Sequence, residues 1–302
     1  MIFFQEVNIA LKTTWLFAPF FFILGACLAS FFNVVVFRYP KMLDSGNAIE
    51  IKEWLEDKEI AYPKEIDKYM STINLATPGS HCYSCNNKLK WYQNIPVFSY
   101  IFLGGRCGFC KTPYSIQYPI VEFFGGIIML MTYLLFFPKF QTEGLILASY
   151  FFMISYLLLL IDMKTMFLPD TINYSLMWIG IIGSMLSVKI MNITLTESLW
   201  GAVIGYMILW VISTIGKKIK GVEVMGGGDL KLVASIGVFV GVPGAIFTIF
   251  FSPFIGIFFW VYNKLVIKND NPQFPYGPSL IIASWTYIFY GKEIFKYLNL
   301  PI

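Results

Sequence analysis

Residues 13–37 read TTWLFAPFFFILGACLASFFNVVVF and carry no charged side chain. A helix needs about 20 consecutive apolar residues to cross the hydrocarbon core of a bilayer, so this run is long enough to span. It is too long for the apolar core of a cleaved signal, and the small-residue cleavage pattern is weak. The stretch therefore predicts a retained first transmembrane helix.

Working outward, the same texture recurs. The chain of 302 residues is 57% hydrophobic and 13% charged, where soluble chains run at about a quarter charged. Charges fall in short clusters between uncharged runs, and further spans are predicted near 119–137, 144–161, 171–188, 199–216, 230–242, 245–263 and 279–291. The fold class is an all-α polytopic membrane protein of about eight transmembrane helices. The Val242-Pro243-Gly244 turn is a weak divider between the sixth and seventh spans, so seven helices is the alternative. Three regions follow: a first transmembrane helix in 1–37, a polar insert in 38–118 and a helical membrane domain in 119–302.

Lysine and arginine orient the bundle, because cytoplasmic loops carry their excess. With the N-terminus outside, 17 basic residues fall on the cytoplasmic side: ten between Arg38 and Lys111, then Lys164, Lys217, Lys218, Lys220, Lys231, Lys264 and Lys268. Five fall outside: Lys12, Lys139, Lys189, Lys292 and Lys296. The net charge of +4 reflects this topology. No arginine-rich or base-stacking module points to nucleic acid, no internal repeat stands out, and oligomeric state leaves no mark.

The insert has two halves. IEIKEWLEDKEIAYPKEIDKYM mixes both charge signs densely and reads as a solvated or membrane-surface helix pair. HCYSCNNKLKWYQNIPVFSYIFLGGRCGFC holds two C-x-x-C pairs, Cys82/Cys85 and Cys107/Cys110. Each pair can bite a metal through two thiolates, and two pairs complete a closed tetrahedral zinc site. So small a segment lacks the apolar side chains to hold itself together, and a structural Zn2+ supplies that stability. Two disulfides are the competing reading, disfavoured in the reducing cytoplasm where the basic count puts the insert. His81, the only histidine, reads as a surface or outer-sphere residue, and Cys27 as a small packing residue within the first helix.

Ionisable groups at membrane depth are costly and count as functional candidates. Asp162 closes the run YFFMISYLLLLI, and Asp229 follows Gly226-Gly227-Gly228 at the start of the sixth span. Both map to the cytoplasmic side. Two carboxylates sharing a site share a proton. The ionised one can take a proton from water, and the protonated one can donate a hydrogen bond to a peptide carbonyl. That is aspartic-peptidase chemistry, with the pair titrating as a unit. Gly226 and Gly228, lacking Cβ atoms, admit an extended substrate backbone. The bland alternatives are a helix cap at Asp229 and an interfacial carboxylate at Asp162. Asp170, after Pro169, is a supporting candidate that equally suits a helix N-terminus. Glu122, about one turn into the second span, is either an interfacial cap or a ligand for a polar group such as an amine.

These residues carry a resemblance. GACLASFFNVVVFRYP, PGSHCYSCNNKLKWYQNIPVFSYIFLGGRCGFCKTPYSIQYPIVE, LIDMKTMFLPD, MGGGDLKL and FPYGPSL occur in this order, and the chain resembles the prepilin peptidases, also called type IV leader peptidases, over nearly its whole length. The resemblance implies that Asp162 and Asp229 are the catalytic dyad and that the four cysteines form the metal site. It implies removal of a basic leader from prepilins or pseudopilins at the cytoplasmic face of the bacterial inner membrane, after a glycine. It also implies N-methylation of the new N-terminus with S-adenosylmethionine, an activity tied to the long cytoplasmic loop. No strand–glycine-turn–helix unit marks an ordinary site for that donor. Gly108-Phe109 stands where the resemblance leads one to expect a second basic residue. The alternative in another class is a non-enzymatic membrane assembly or ion-binding protein with a zinc docking loop. Asn in place of either aspartate separates the two, because a scaffold tolerates it.

Overall fold

The computed structural model describes residues 16–58, 60, 67–68, 70, 73–188, 193–222, 225–262, 264–265 and 275–297. Lys12, Lys64, Lys189 and Lys268 of the orientation count lie outside them, as do residues 13–15, 263 and much of 59–72. Seven α-helices appear among the described residues: α1 Ala18–Asp57, α2 Phe98–Phe102, α3 Gln117–Thr165, α4 Asp170–Met185, α5 Leu195–Lys220, α6 Gly227–Tyr262 and α7 Gly277–Tyr297. Strand pairing there is limited to two isolated bridges. Four helices (α1, α3, α5 and α6) are long and apolar enough to cross a membrane.

The helices group into two compact units, Pro19–Leu130, and Met131–Ile302 with Met1–Ala18. In the first, α1 carries on as helix to Asp57, past the end of its uncharged run and into the polar segment, where a separate helix pair is expected. Its apolar part meets the start of α3 through small residues. A methyl group on Gly25 would strike the Gly125 carbonyl and Met129 Cβ, so the backbones approach more closely than larger residues allow. Phe22 and Phe123 meet edge to face beside that contact. Asn33 donates to the Tyr118 carbonyl at 3.3 Å.

In the second unit, two expected pairs of spans are each joined into one helix. Residues 136 and 152 would stand about 24 Å apart on a straight helix, yet the Phe136 and Phe152 ring centroids are 5.5 Å apart. Helix α3 therefore folds back on itself, at Gln141, whose φ of 57° and ψ of −157° are non-helical. Helix α6 does the same at Gly241, with φ 67° and ψ −172°. A Cβ built on Gly205 of α5 would lie 3.0 Å from Val233 and 3.3 Å from Ala245, two residues about 18 Å apart on a straight helix. The count of eight separate helices is thus not met. A single non-helical residue is too short a break to part the members of a pair.

Aromatic and aliphatic side chains fill the core of this unit. Phe151, Phe152, Leu158, Ile161, Leu232 and Ile281 are fully buried. Short polar bonds tie helices together: Ser198 Oγ donates to the Val238 carbonyl at 2.6 Å, and Trp285 Nε1 to Ser155 Oγ at 3.0 Å. Helix α5 starts with a capping box, Thr194 with Glu197, and ends at Gly221 (φ 71°) after Lys217, Lys218 and Lys220. Those lysines suit the negative end of the helix dipole.

Candidate active site and metal centre

Three chain segments of the second unit converge on the aspartates. Asp162 lies in the last turn of α3 and is 4% exposed. The chain then turns through Met166, Phe167 and Leu168 before Pro169 starts α4. Asp229 sits half-buried in the first turn of α6, its N–H donating to the Gly226 carbonyl at 3.2 Å. Asp162 is near enough to Asp229 to act on it electrostatically. Leu168 packs against the glycines beside them: it is 3.0 Å from a Cβ built on Gly228 and 3.3 Å from one built on Gly277.

The third segment is Tyr276-Gly277. The Gly277 N–H donates to Asp162 Oδ2 at 2.9 Å, in a buried bond. A Cβ at Gly277 would lie 2.6 Å from that same oxygen, inside contact distance, so only glycine allows the approach. Tyr276 shares a 2.5 Å hydrogen bond with Ser252 and feels the Asp229 carboxylate through space. The glycines before Asp229 stand apart in environment: Gly228 packs on Leu168, while a Cβ on Gly227 would meet nothing within 4 Å.

Asp170 is the first residue of α4, where a carboxylate suits the helix dipole. It is exposed and pairs with Lys231 Nζ at 2.6 Å, tying the start of α4 to the start of α6 two residues beyond Asp229. The sequence reasoning missed Lys231, Tyr276 and Gly277. The Pro-Tyr-Gly-Pro punctuation before α7 was the available signal for the last two.

In the first unit, Cys82, Cys85, Cys107 and Cys110 bring their sulfurs within 4.8 Å of one another. Cys82 and Cys110 Sγ are 3.8 Å apart. Tetrahedral zinc with Zn–S bonds of about 2.3 Å requires sulfurs about 3.8 Å apart, so the donor set fits a structural zinc ion. No disulfide joins these cysteines. Each pair lies on a knuckle of the same design. Cys82 N–H donates to Asn87 and Cys107 N–H to Thr112; Asn86 N–H returns to Cys82 and Lys111 N–H to Cys107. The outer bonds repeat too, from Leu89 N–H to Ser80 and from Tyr114 N–H to Gly105. Backbone hydrogen bonds from Cys110 and Phe109 hold the Cys107 thiol down to about 6. Burial, followed by its neighbour Cys107, pushes the Tyr114 hydroxyl up.

His81 stands outside this cluster, its Nδ1 bonded to the Gly79 carbonyl at 2.8 Å. Gly108 faces the Gln93 amide, the movable end of a flexible side chain. Cys27 corrects an expectation: it is exposed, because Gly25, Ala26 and Ala29 take the packed face of α1. Glu122 is half-buried and accepts from the Val97 N–H at 2.7 Å. Arg38, unflagged although it is the first charge after the opening run, is 7% exposed and donates to the carbonyls of Asn74, Leu75 and Pro78.

Helices long and apolar enough to cross a membrane, two aspartates near one another at helix ends and a four-cysteine cluster on the same chain define a class of polytopic membrane protein. Residues 23–136 match the bacterial peptidase A24 N-terminal domain, and residues 147–261 match the type IV leader peptidase family. The chain belongs to the type IV leader peptidase family. It is 30% identical to a prepilin leader peptidase/N-methyltransferase of Neisseria gonorrhoeae, over 93% of each chain. It is 32% identical to proteins of the same name from Xanthomonas campestris and Pseudomonas aeruginosa, over 90% of each chain. No solved structure matches the chain.

Proposed function

We propose that this protein is a membrane-embedded aspartic endopeptidase that removes the basic leader of type IV prepilins or pseudopilins and N-methylates the new N-terminus. What supports the reading is that Asp162 and Asp229 lie at helix ends near enough to act on one another electrostatically, in a chain that aligns with leader peptidase/N-methyltransferases over nine-tenths of its length.

The two carboxylates share one proton. The ionised one draws a proton from water, the hydroxide equivalent attacks the scissile carbonyl, and the protonated one stabilises the developing oxyanion and then supplies the leaving amine. The Gly277 N–H fixes the orientation of Asp162. The open backbone at Gly227 leaves room for an extended peptide beside Asp229, with Gly226 against the Asp229 carboxylate, and the Asp170–Lys231 pair holds the two helix starts in register. Zinc bound by the four thiolates fastens the insert. S-adenosylmethionine supplies an electrophilic methyl group for the second activity.

The protein resides in the bacterial inner membrane. The reversals at Gln141 and Gly241 make two passes each of α3 and α6, giving eight passes with the N-terminus outside. A prepilin, with a basic leader followed directly by an apolar helix, enters laterally and leaves its scissile bond at the cytoplasmic interface.

The test is leader removal by purified protein in detergent, with a model prepilin as substrate. Wild type cleaves, and Asp162→Asn and Asp229→Asn do not while keeping their thermal transition. Equal processing by either variant overturns the assignment.

A further inference from the structure

An N-methylating enzyme needs a place to hold its methyl donor, and the unit Pro19–Leu130 contains a partly enclosed cavity of about 170 Å³. Its walls come from the end of the uncharged run in α1, from the knuckle-bearing loop and from the start of α3. The rings of Phe37, Tyr83, Tyr100 and Tyr118 line it. So does Glu122, whose carboxylate accepts from the Val97 N–H and from the Ser30 side chain and has no ion-pair partner among the described residues. Arg38 also borders the cavity, but its guanidinium is occupied by three backbone carbonyls of the 74–78 loop. The cavity thus combines aromatic walls with a carboxylate that forms no ion pair, and the Arg38 guanidinium keeps a positive charge on the same border. Asn33 and Ser99 add polar groups along the wall.

That combination selects a ligand class. Aromatic faces stack a nucleobase and attract a cation placed over the ring. A carboxylate without a counter-ion favours a cationic group beside it. A sulfonium nucleoside has both, a flat base and a positive sulfur. A second, open groove of about 330 Å³ shares Ser30, Val34, Arg38, Ser80 and Asn94 with the first. It gives an acceptor chain lying along α1 access to the same wall.

We propose that this cavity is the binding site for the S-adenosylmethionine-type methyl donor, with Glu122 facing its cationic portion and the tyrosines its base. The site rests on the N-methylation half of the proposed function and is independent of the peptidase half.

The experiment uses the full-length, zinc-loaded protein in detergent and S-adenosylmethionine itself as probe. Binding is measured by calorimetry, and photo-crosslinking with methyl-labelled donor is mapped by peptide mass. Ser99→Trp and Val34→Trp fill the cavity from opposite walls; Glu122→Gln removes the charge while keeping an acceptor for the Val97 N–H. Zinc content and the thermal transition verify that each variant is folded. Wild type binds and crosslinks within residues 80–122. Both tryptophan variants lose binding by more than tenfold, and Glu122→Gln weakens it by roughly tenfold, the equivalent of one lost charge contact. Wild-type affinity in a folded tryptophan variant, or crosslinks confined to Met131–Ile302, overturns the assignment. Wild-type protein that cleaves a prepilin yet binds no donor removes the site and the methylation reading together and leaves the peptidase standing. Donor binding in the cavity without leader cleavage does the reverse.

Discussion

The bond from the Gly277 N–H to Asp162 Oδ2, 2.9 Å long and buried, fixes one carboxylate of the pair through a group with no side chain. Asp162→Asn and Asp229→Asn each remove a proton-transfer group, and leader cleavage should fall by at least roughly 10³-fold, within the span such groups supply. Gly277→Ala is the subtler probe. Its methyl would sit 2.6 Å from the oxygen it must not touch, so the carboxylate swings away. Misplacement of that order costs roughly 10²-fold in turnover, with the effect on kcat rather than KM. Steady-state kinetics on a prepilin peptide check this, and a wild-type kcat in Gly277→Ala means the approach is not used. The aspartates were legible in the sequence because a charge at the edge of an apolar run is rare. Gly277 was not, because a backbone donor looks like any other amide until the fold aims it. Lys231 was legible only as a basic residue; its partner Asp170 is 61 positions away, beyond any local pattern.

At the scale of elements, the two reversals invite comparison. Gln141 and Gly241 hold nearly the same backbone conformation, φ 57° and 67° with ψ near the extended limit, a region that costs a residue with a Cβ about 1–3 kcal/mol. Gly241→Ala should therefore destabilise the protein by about that amount. Gln141→Gly should stabilise it by roughly 1 kcal/mol, after the added freedom of the unfolded chain is deducted. Thermal unfolding in one detergent compares the two, and shifts of the same sign would contradict the shared geometry. The sequence marked the second turn by Val242-Pro243-Gly244 and the first only by a gap between apolar runs. Neither pattern says that the chain stays helical up to the hinge on both sides. The zinc knuckles are a parallel case. Their cysteines were readable from spacing, but their matched backbone bonds were not, since Asn86 and Lys111, at φ 56° and 62°, share a conformation and no side-chain chemistry. One zinc per chain is expected by elemental analysis, and Cys107→Ser should lose most of it and lower the thermal transition. Thiolates bind the metal and thiols do not, so acid should strip zinc and rising pH restore it.

For the whole molecule, the decisive quantity is the parity of passes. A straight helix of 49 residues, the length of α3, would run about 73 Å, more than twice the hydrocarbon thickness; its reversal at Gln141 resolves that excess into two passes, with Lys139 beside the turn. The same reasoning applies at Gly241 in α6, where the turn carries no charge. On the proposed topology both reversals count, and α1, α4, α5 and α7 bring the total to eight passes, with the C-terminus on the side of the N-terminus. The basic residues suit that proposal: under it 17 fall on the cytoplasmic side and five outside, with the lysine-rich end of α5 on the side of Asp162 and Asp229. Fusion of a reporter active only outside the cytoplasm tests this directly. It should be silent after Lys220, active near Lys139 and active at the C-terminus. A silent C-terminal fusion would give an odd number of passes and remove the turn at Gly241 from the membrane topology. Asp162 and Asp229 would still share a face in that case, because both precede that turn. Both also follow the reversal at Gln141, so that turn decides only whether the pair faces the same side as the cysteine insert, and the Lys139 fusion is the measurement that bears on it.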